Sequence, residues 1–83
     1  MAKKPPRKNV IGNRLAEARR VHKPALTQDA LSGKLAQIGI QLDRAAVAKI
    51  EAGLRRVFDY ELKALAETLG VSVEWLLQGG RSK

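Results

Sequence analysis

Residues that begin helices and residues that end them punctuate this chain at short intervals, and no other feature limits its fold as much. Thr27, Asp43, Asp59 and Ser72 each precede an apolar-periodic run. A side-chain oxygen at such a place accepts from the free N–H groups of a first helical turn. Gly39, Gly53, Gly70 and the pair Gly79-Gly80 follow those runs, where a left-handed residue can close a helix. Pro24 ends an earlier run, because His22-Lys23-Pro24 cannot continue a helix. Nothing alternates with period two for long enough to make a strand. The spacing predicts an all-α, five-helix domain, with helices at about residues 10–21, 28–38, 44–52, 60–69 and 73–78.

Each predicted helix has one apolar side. Ile11, Leu15 and Ala18 share a face of the first, while Asn13, Arg14, Glu17 and Arg20 look outward. Leu31, Leu35 and Ile38 form the stripe of the second, which Gly33 weakens by about 1 kcal/mol relative to alanine. Val47 and Ile50 lie on one side of the third. Leu62, Leu65, Ala66 and Leu69 make the inner face of the fourth, and Val73, Trp75, Leu76 and Leu77 belong to the fifth. Trp75 with Leu76-Leu77 reads as core cover for the first and fourth helices. With a single Trp, Phe and Tyr and no cysteine, aliphatic side chains must fill the interior, and thiolate metal sites and disulfides are excluded.

Charge is distributed unevenly. Residues 1–26 carry +7 and residues 27–83 only +1, out of a net +8. A basic first third on a nearly neutral body suits a polyanion, since each phosphate neutralised releases counterions. A solvated tail holding Lys3, Lys4, Arg7 and Lys8 explains the same charge. Residues 1–9, with two prolines and four cations, read as a disordered basic arm, residues 10–80 as the folded domain, and 81–83 as a tail. No apolar run approaches the roughly 20 residues that cross a bilayer, and the basic start lacks the hydrophobic stretch of a secretory signal. A cytoplasmic protein without a membrane partner is the expectation.

Two short capped helices joined by a glycine-containing link, residues 28–38 and 44–52, have the outline of a helix-turn-helix. Five features extend this: Leu15 with Arg19; Thr27-Gln28; Leu31; the run from Val47 to Gly53; and the run from Ala66 to Leu77. In their order and spacing they resemble the Cro/C1-type (XRE-like) helix-turn-helix family of phage repressors and bacterial transcriptional regulators. The chain departs from that pattern in having a few more residues between Leu31 and Val47 and between Arg19 and Gln28. A second helix one turn longer, running to Ile38, with a looser turn after it, accommodates the difference.

The resemblance implies a lambda-repressor-like domain whose third helix enters the major groove N-terminal end first. Arg44, Ala45, Ala46 and Lys49 are then the candidates for base contact. The Arg44 fork can donate twice to guanine, worth roughly 1–3 kcal/mol of discrimination. Lys49 reaches a base or a phosphate, and the alanine methyls touch at most a thymine methyl, so shape readout should add to direct readout. Thr27 and Gln28, at a helix start, and Arg55 and Arg56 are candidates for phosphate contact, with Tyr60 and Lys63 weaker ones. Asp43 falls in the same set by position, although its carboxylate repels phosphate and capping accounts for its presence, as for Asp59. The resemblance also implies a buried ion pair between Arg19 and Glu51, a homodimer with dimer contacts in the C-terminal part, and a pseudo-palindromic operator on double-stranded DNA. A prokaryotic source, bacterial or phage, goes with it.

The residue set speaks against an enzyme and implies no cofactor or metal. There is no Ser/His/Asp set, no His or Cys cluster and no glycine-rich phosphate loop; the single His22 reads as a loop residue. Two other readings compete. Ala45, Ala46 and Ala48 would suit a protein-docking helix, and an antitoxin that binds both its own operon and a toxin would look the same in sequence.

Overall fold

A computed structural model of the chain describes residues 6–80. Among them are five α-helices and no strand: α1 Gly12–Val21, α2 Gln28–Gln37, α3 Arg44–Glu51, α4 Asp59–Leu69 and α5 Val73–Leu77, followed by one 3-10 turn at Gln78–Gly80. None is long and apolar enough to cross a membrane. The tail at 81–83 and the cations Lys3 and Lys4 lie outside the described residues.

Local chemistry sets most of the boundaries. The Thr27 hydroxyl accepts from the Ala30 N–H, an Asp43 oxygen from Ala46, and the Ser72 hydroxyl from Trp75, so three of the four expected caps are in place. The fourth is displaced. Phe58, not Asp59, is the cap of α4, and its N–H donates to Glu61 three residues on, at 3.0 Å. That is the return half of a capping box. Asp59 is instead the first helical residue, its carboxylate accepting from the Tyr60 N–H at 2.7 Å. After α2, α3 and α4 the chain closes on glycines of positive φ, Gly39, Gly53 and Gly70. Beyond each, an N–H returns to a carbonyl five residues back: Ile40 to Leu35, Leu54 to Lys49, and Val71 to Ala66.

The interior is aliphatic. Leu15, Leu31, Leu35, Leu42, Val47, Ile50, Leu65 and Leu76 are fully buried, from all five helices and one connection. Burying one such side chain contributes roughly 1.5–3 kcal/mol. α3 packs on α2 and α1, α4 on α2, α1 and α5. Ile38 departs from the expected stripe: α2 stops one residue earlier and Ile38 is 54% exposed. Leu42, in the connection between α2 and α3, enters the core in its place, and Ile40 is half-buried beside it. The fifth helix divides likewise. Leu76 is core, Leu77 is exposed, and Trp75 is half-buried with the Arg14 guanidinium 4.3 Å from its ring centroid.

Candidate nucleic-acid interface

Eight residues make α3 only about 12 Å long, too short to persist alone. Its inner side is Val47 and Ile50. Arg44, Ala45, Lys49 and the following Ala52 are exposed, with Ala48 half-buried between them. The outward face therefore has a floor of methyl groups, Ala45, Ala48 and Ala52, and a cation on each side. No ion pair engages Arg44 or Lys49 among the described residues. Three of the four residues expected at base edges, Arg44, Ala45 and Lys49, share this face. Ala46 does not, since it leans on the core. The helical register set by Val47 and Ile50 puts Ala48 outward instead, a signal present in the sequence.

Glu51, on the last turn of α3, joins it to both neighbouring helices. Its carboxylate accepts from Arg19 Nε at 2.7 Å and from Arg19 Nη2 at 3.0 Å, the ion pair that the family resemblance implied. Arg19 also donates to the Leu26 carbonyl. The hydrogen bond to Glu51, opposed by burial, pushes the Arg19 guanidinium further above its ordinary range. Gln28 adds a third donor to the same carboxylate, at 3.0 Å. Gln28 was expected to face a phosphate; its amide is turned to Glu51.

The expected phosphate positions are similarly divided. Arg55 grips Glu61 with both terminal nitrogens, at 2.9 and 3.2 Å, and donates to the Arg56 carbonyl. A guanidinium so engaged neutralises a protein carboxylate rather than facing outward. The Thr27 hydroxyl and the Asp43 carboxylate are occupied as caps. Arg56, Tyr60 and Lys63 are exposed, and the Tyr60 ring stacks on Phe58 with centroids 5.8 Å apart. His22 lies in the loop after α1, its Nδ1 2.9 Å from the Pro24 carbonyl oxygen.

Two residues escaped the sequence reading. Glu61 is buried, 4% exposed, although charged. Burial alone would push its carboxyl up, but the Arg55 hydrogen bonds, the Phe58 N–H and the Arg55 charge together hold it below the ordinary glutamate range. A carboxyl with a depressed folded-state value stabilises the fold above its unfolded value, and that stabilisation is lost as pH falls through the folded one. Acid unfolding followed by circular dichroism is therefore expected to show wild type losing stability below the usual glutamate range, with Glu61→Gln flattening that part of the profile.

Asn9 is the second. Its Oδ1 accepts from the Ile11 and Gly12 N–H groups, at 3.0 and 2.9 Å, and its Nδ2 donates to the carbonyls of Ile50 and Arg55, at 3.0 and 2.8 Å. Within the stretch 1–9 expected as a disordered arm, residues 7–9 are hydrogen-bonded to the end of α3, and residues 1–5 lie outside the described residues.

No family model and no curated protein matches this chain. What the surface can do rests on its own chemistry. Among the described residues no group of His, Cys, Asp or Glu is gathered to hold a metal ion. The open cleft between α1 and α3, about 670 Å³, is lined by small and charged residues including Ala16, Glu17, Arg20, Ala48 and Glu51.

Proposed function

We propose that this chain binds double-stranded DNA through α3, in a lambda-repressor-like, Cro/C1-type arrangement, and acts as a transcriptional regulator that represses. The observation behind the reading is the outward face of α3: two cations flank a floor of alanines, on a helix anchored from beneath by Glu51. Methyl groups allow the helix backbone to approach a groove closely, and the cations at its edges are placed to reach base edges or flanking phosphates. Arg56, Tyr60 and Lys63 are the outlying groups for backbone contact, and the N–H groups at the start of α2 suit a phosphate. Arg55 and Gln28 act indirectly, through Glu61 and Glu51. Arg44 reads bases, and Lys49 reads a base or a phosphate.

The natural form is a homodimer in a prokaryotic cytoplasm on a pseudo-palindromic operator, with half-sites roughly 34–36 Å apart. Oligonucleotides selected by binding from a random pool supply the target. On that target, Arg44→Ala is expected to reduce discrimination between matched and mismatched sites by about tenfold. Arg56→Ala should weaken all sites alike and lower the salt slope by about one. Fluorescence anisotropy across a salt series measures both. Equal loss of selectivity from the two changes would show the roles to be wrongly assigned, and no affinity of wild type for any duplex in dilute buffer would end the DNA reading.

A further inference from the structure

Three consecutive residues outside the helices close the C-terminal end of α3. The Arg7 Nη2 donates to the Glu51 carbonyl at 3.2 Å, the Lys8 N–H to the Gly53 carbonyl at 2.8 Å, and the Asn9 amide to the Ile50 and Arg55 carbonyls. The Arg7 guanidinium lies directly over Gly53, where a Cβ would sit 2.6 Å from its Cζ. The last carbonyls of any helix lack intrahelical partners, and a cation there also answers the negative end of the helix dipole. Here the partners come from more than 40 positions away in the chain. Asn9 meanwhile holds the N–H groups at the start of α1, so one side chain joins the beginning of α1 to the end of α3.

We propose that Arg7, Lys8 and Asn9 form a clasp that positions α3 for its ligand, with Asn9 as the positioning residue. The inference rests on the duplex-binding reading of α3. Glu51 anchors the helix from the side of α1 and α2, while the clasp fixes its trailing end and the turn that leads to Arg55 and Arg56. Without the clasp the last turn of α3 frays. Its exposed face then has the docking geometry for only part of the time, and apparent affinity falls by that fraction.

Asn9→Asp separates this role from a general structural one. An aspartate keeps the acceptor for Ile11 and Gly12, and is as good a helix cap. It loses the donor, however, and sets a carboxylate oxygen against the Ile50 and Arg55 carbonyls. Asn9→Ser also keeps an acceptor, with a hydroxyl too short to reach both carbonyls, and it leaves the charge beside α3 unchanged. Affinity for a selected duplex is to be measured across a salt series, beside amide hydrogen exchange of α1 and α3. For Asn9→Ser, which adds no charge, the expected result is about a tenfold loss of affinity with an unchanged salt slope, faster exchange at the end of α3, and unchanged exchange in α1. Asn9→Asp, whose added carboxylate repels phosphate in its own right, is read by exchange alone. Wild-type affinity with slow exchange in α3 would overturn the clasp. A reduced slope would also overturn it, by showing that a phosphate contact had been lost. Failure of wild type itself to bind would refute the duplex reading, which the variants alone cannot do.

Discussion

Replacing Glu51 with alanine is expected to lower the unfolding free energy by about 3–5 kcal/mol, a large part of the roughly 5–10 kcal/mol available to a domain of this length. The loss is large because three donors converge on this carboxylate, two from Arg19 and one from Gln28. The Arg19 and Glu51 side chains keep only 13% and 9% of their exposure, so removing the acceptor leaves a nearly buried guanidinium without its counter-charge. Urea unfolding monitored by circular dichroism measures the change. The double variant Arg19→Ala/Glu51→Ala should cost clearly less than the sum of the two single changes, since both remove the shared ion pair. Each also loses one bond of its own, Arg19 to the Leu26 carbonyl and Glu51 from Gln28. A cost for Glu51→Ala below about 1 kcal/mol would place the pair among solvent-exposed ion pairs and would detach α3 from this explanation of its placement.

Two glycine-to-alanine changes are expected to move stability in opposite directions, although both glycines are helical. Gly33 lies on the exposed side of α2, with nothing within 4 Å of a Cβ placed there. Alanine at that position should stabilise by about 0.5–1 kcal/mol through helix propensity and a less flexible unfolded chain. Gly12, at the start of α1, is buried against the end of α3. A Cβ there would meet the Ile50 carbonyl oxygen at 2.5 Å and the Glu51 carbonyl oxygen at 2.7 Å. Backbone atoms already hydrogen-bonded to the Asn9 and Arg7 side chains cannot step aside as a flexible side chain would. Gly12→Ala should therefore destabilise by about 1–3 kcal/mol, despite alanine's better propensity, and should weaken duplex binding through displacement of α3. Thermal unfolding of the two variants beside wild type decides. A stabilising Gly12→Ala would mean that α1 and α3 do not approach so closely.

The helices were legible because their ends are chemically local. Thr27, Asp43 and Ser72 act within three residues of themselves, a range over which spacing alone is informative. Asp59 was misread by one position, since the competing signal, Glu61 taking the Phe58 N–H, lies inside the helix rather than before it. The outward face of α3 was mostly legible, and the choice of Ala46 over Ala48 ran against the register of Val47 and Ile50. Partner choice was much less so. Arg55 and Gln28 look like free polar residues in sequence, and only the tertiary arrangement brings Glu61 and Glu51 to them. Asn9 was hidden for a different reason: it follows a proline-rich basic stretch whose composition argues for disorder, and its carbonyl partners are 41 and 46 positions away. The pairing of Arg19 with Glu51 was expected only through family resemblance, because no local rule links positions 32 apart.

Leu42 has a consequence for how the two central helices keep their relative placement. The connection that carries it exposes Ile38, Gly39 and Gln41 to solvent and is pinned by the fully buried Leu42 and the half-buried Ile40. A tether held by one apolar peg constrains its endpoint but not its contour length, and doubling such a span costs only about 0.6 kcal/mol of closure entropy. The spacing between α2 and α3 can therefore drift by insertion or deletion while the angle between them stays put, provided a leucine-sized group still returns to the same socket.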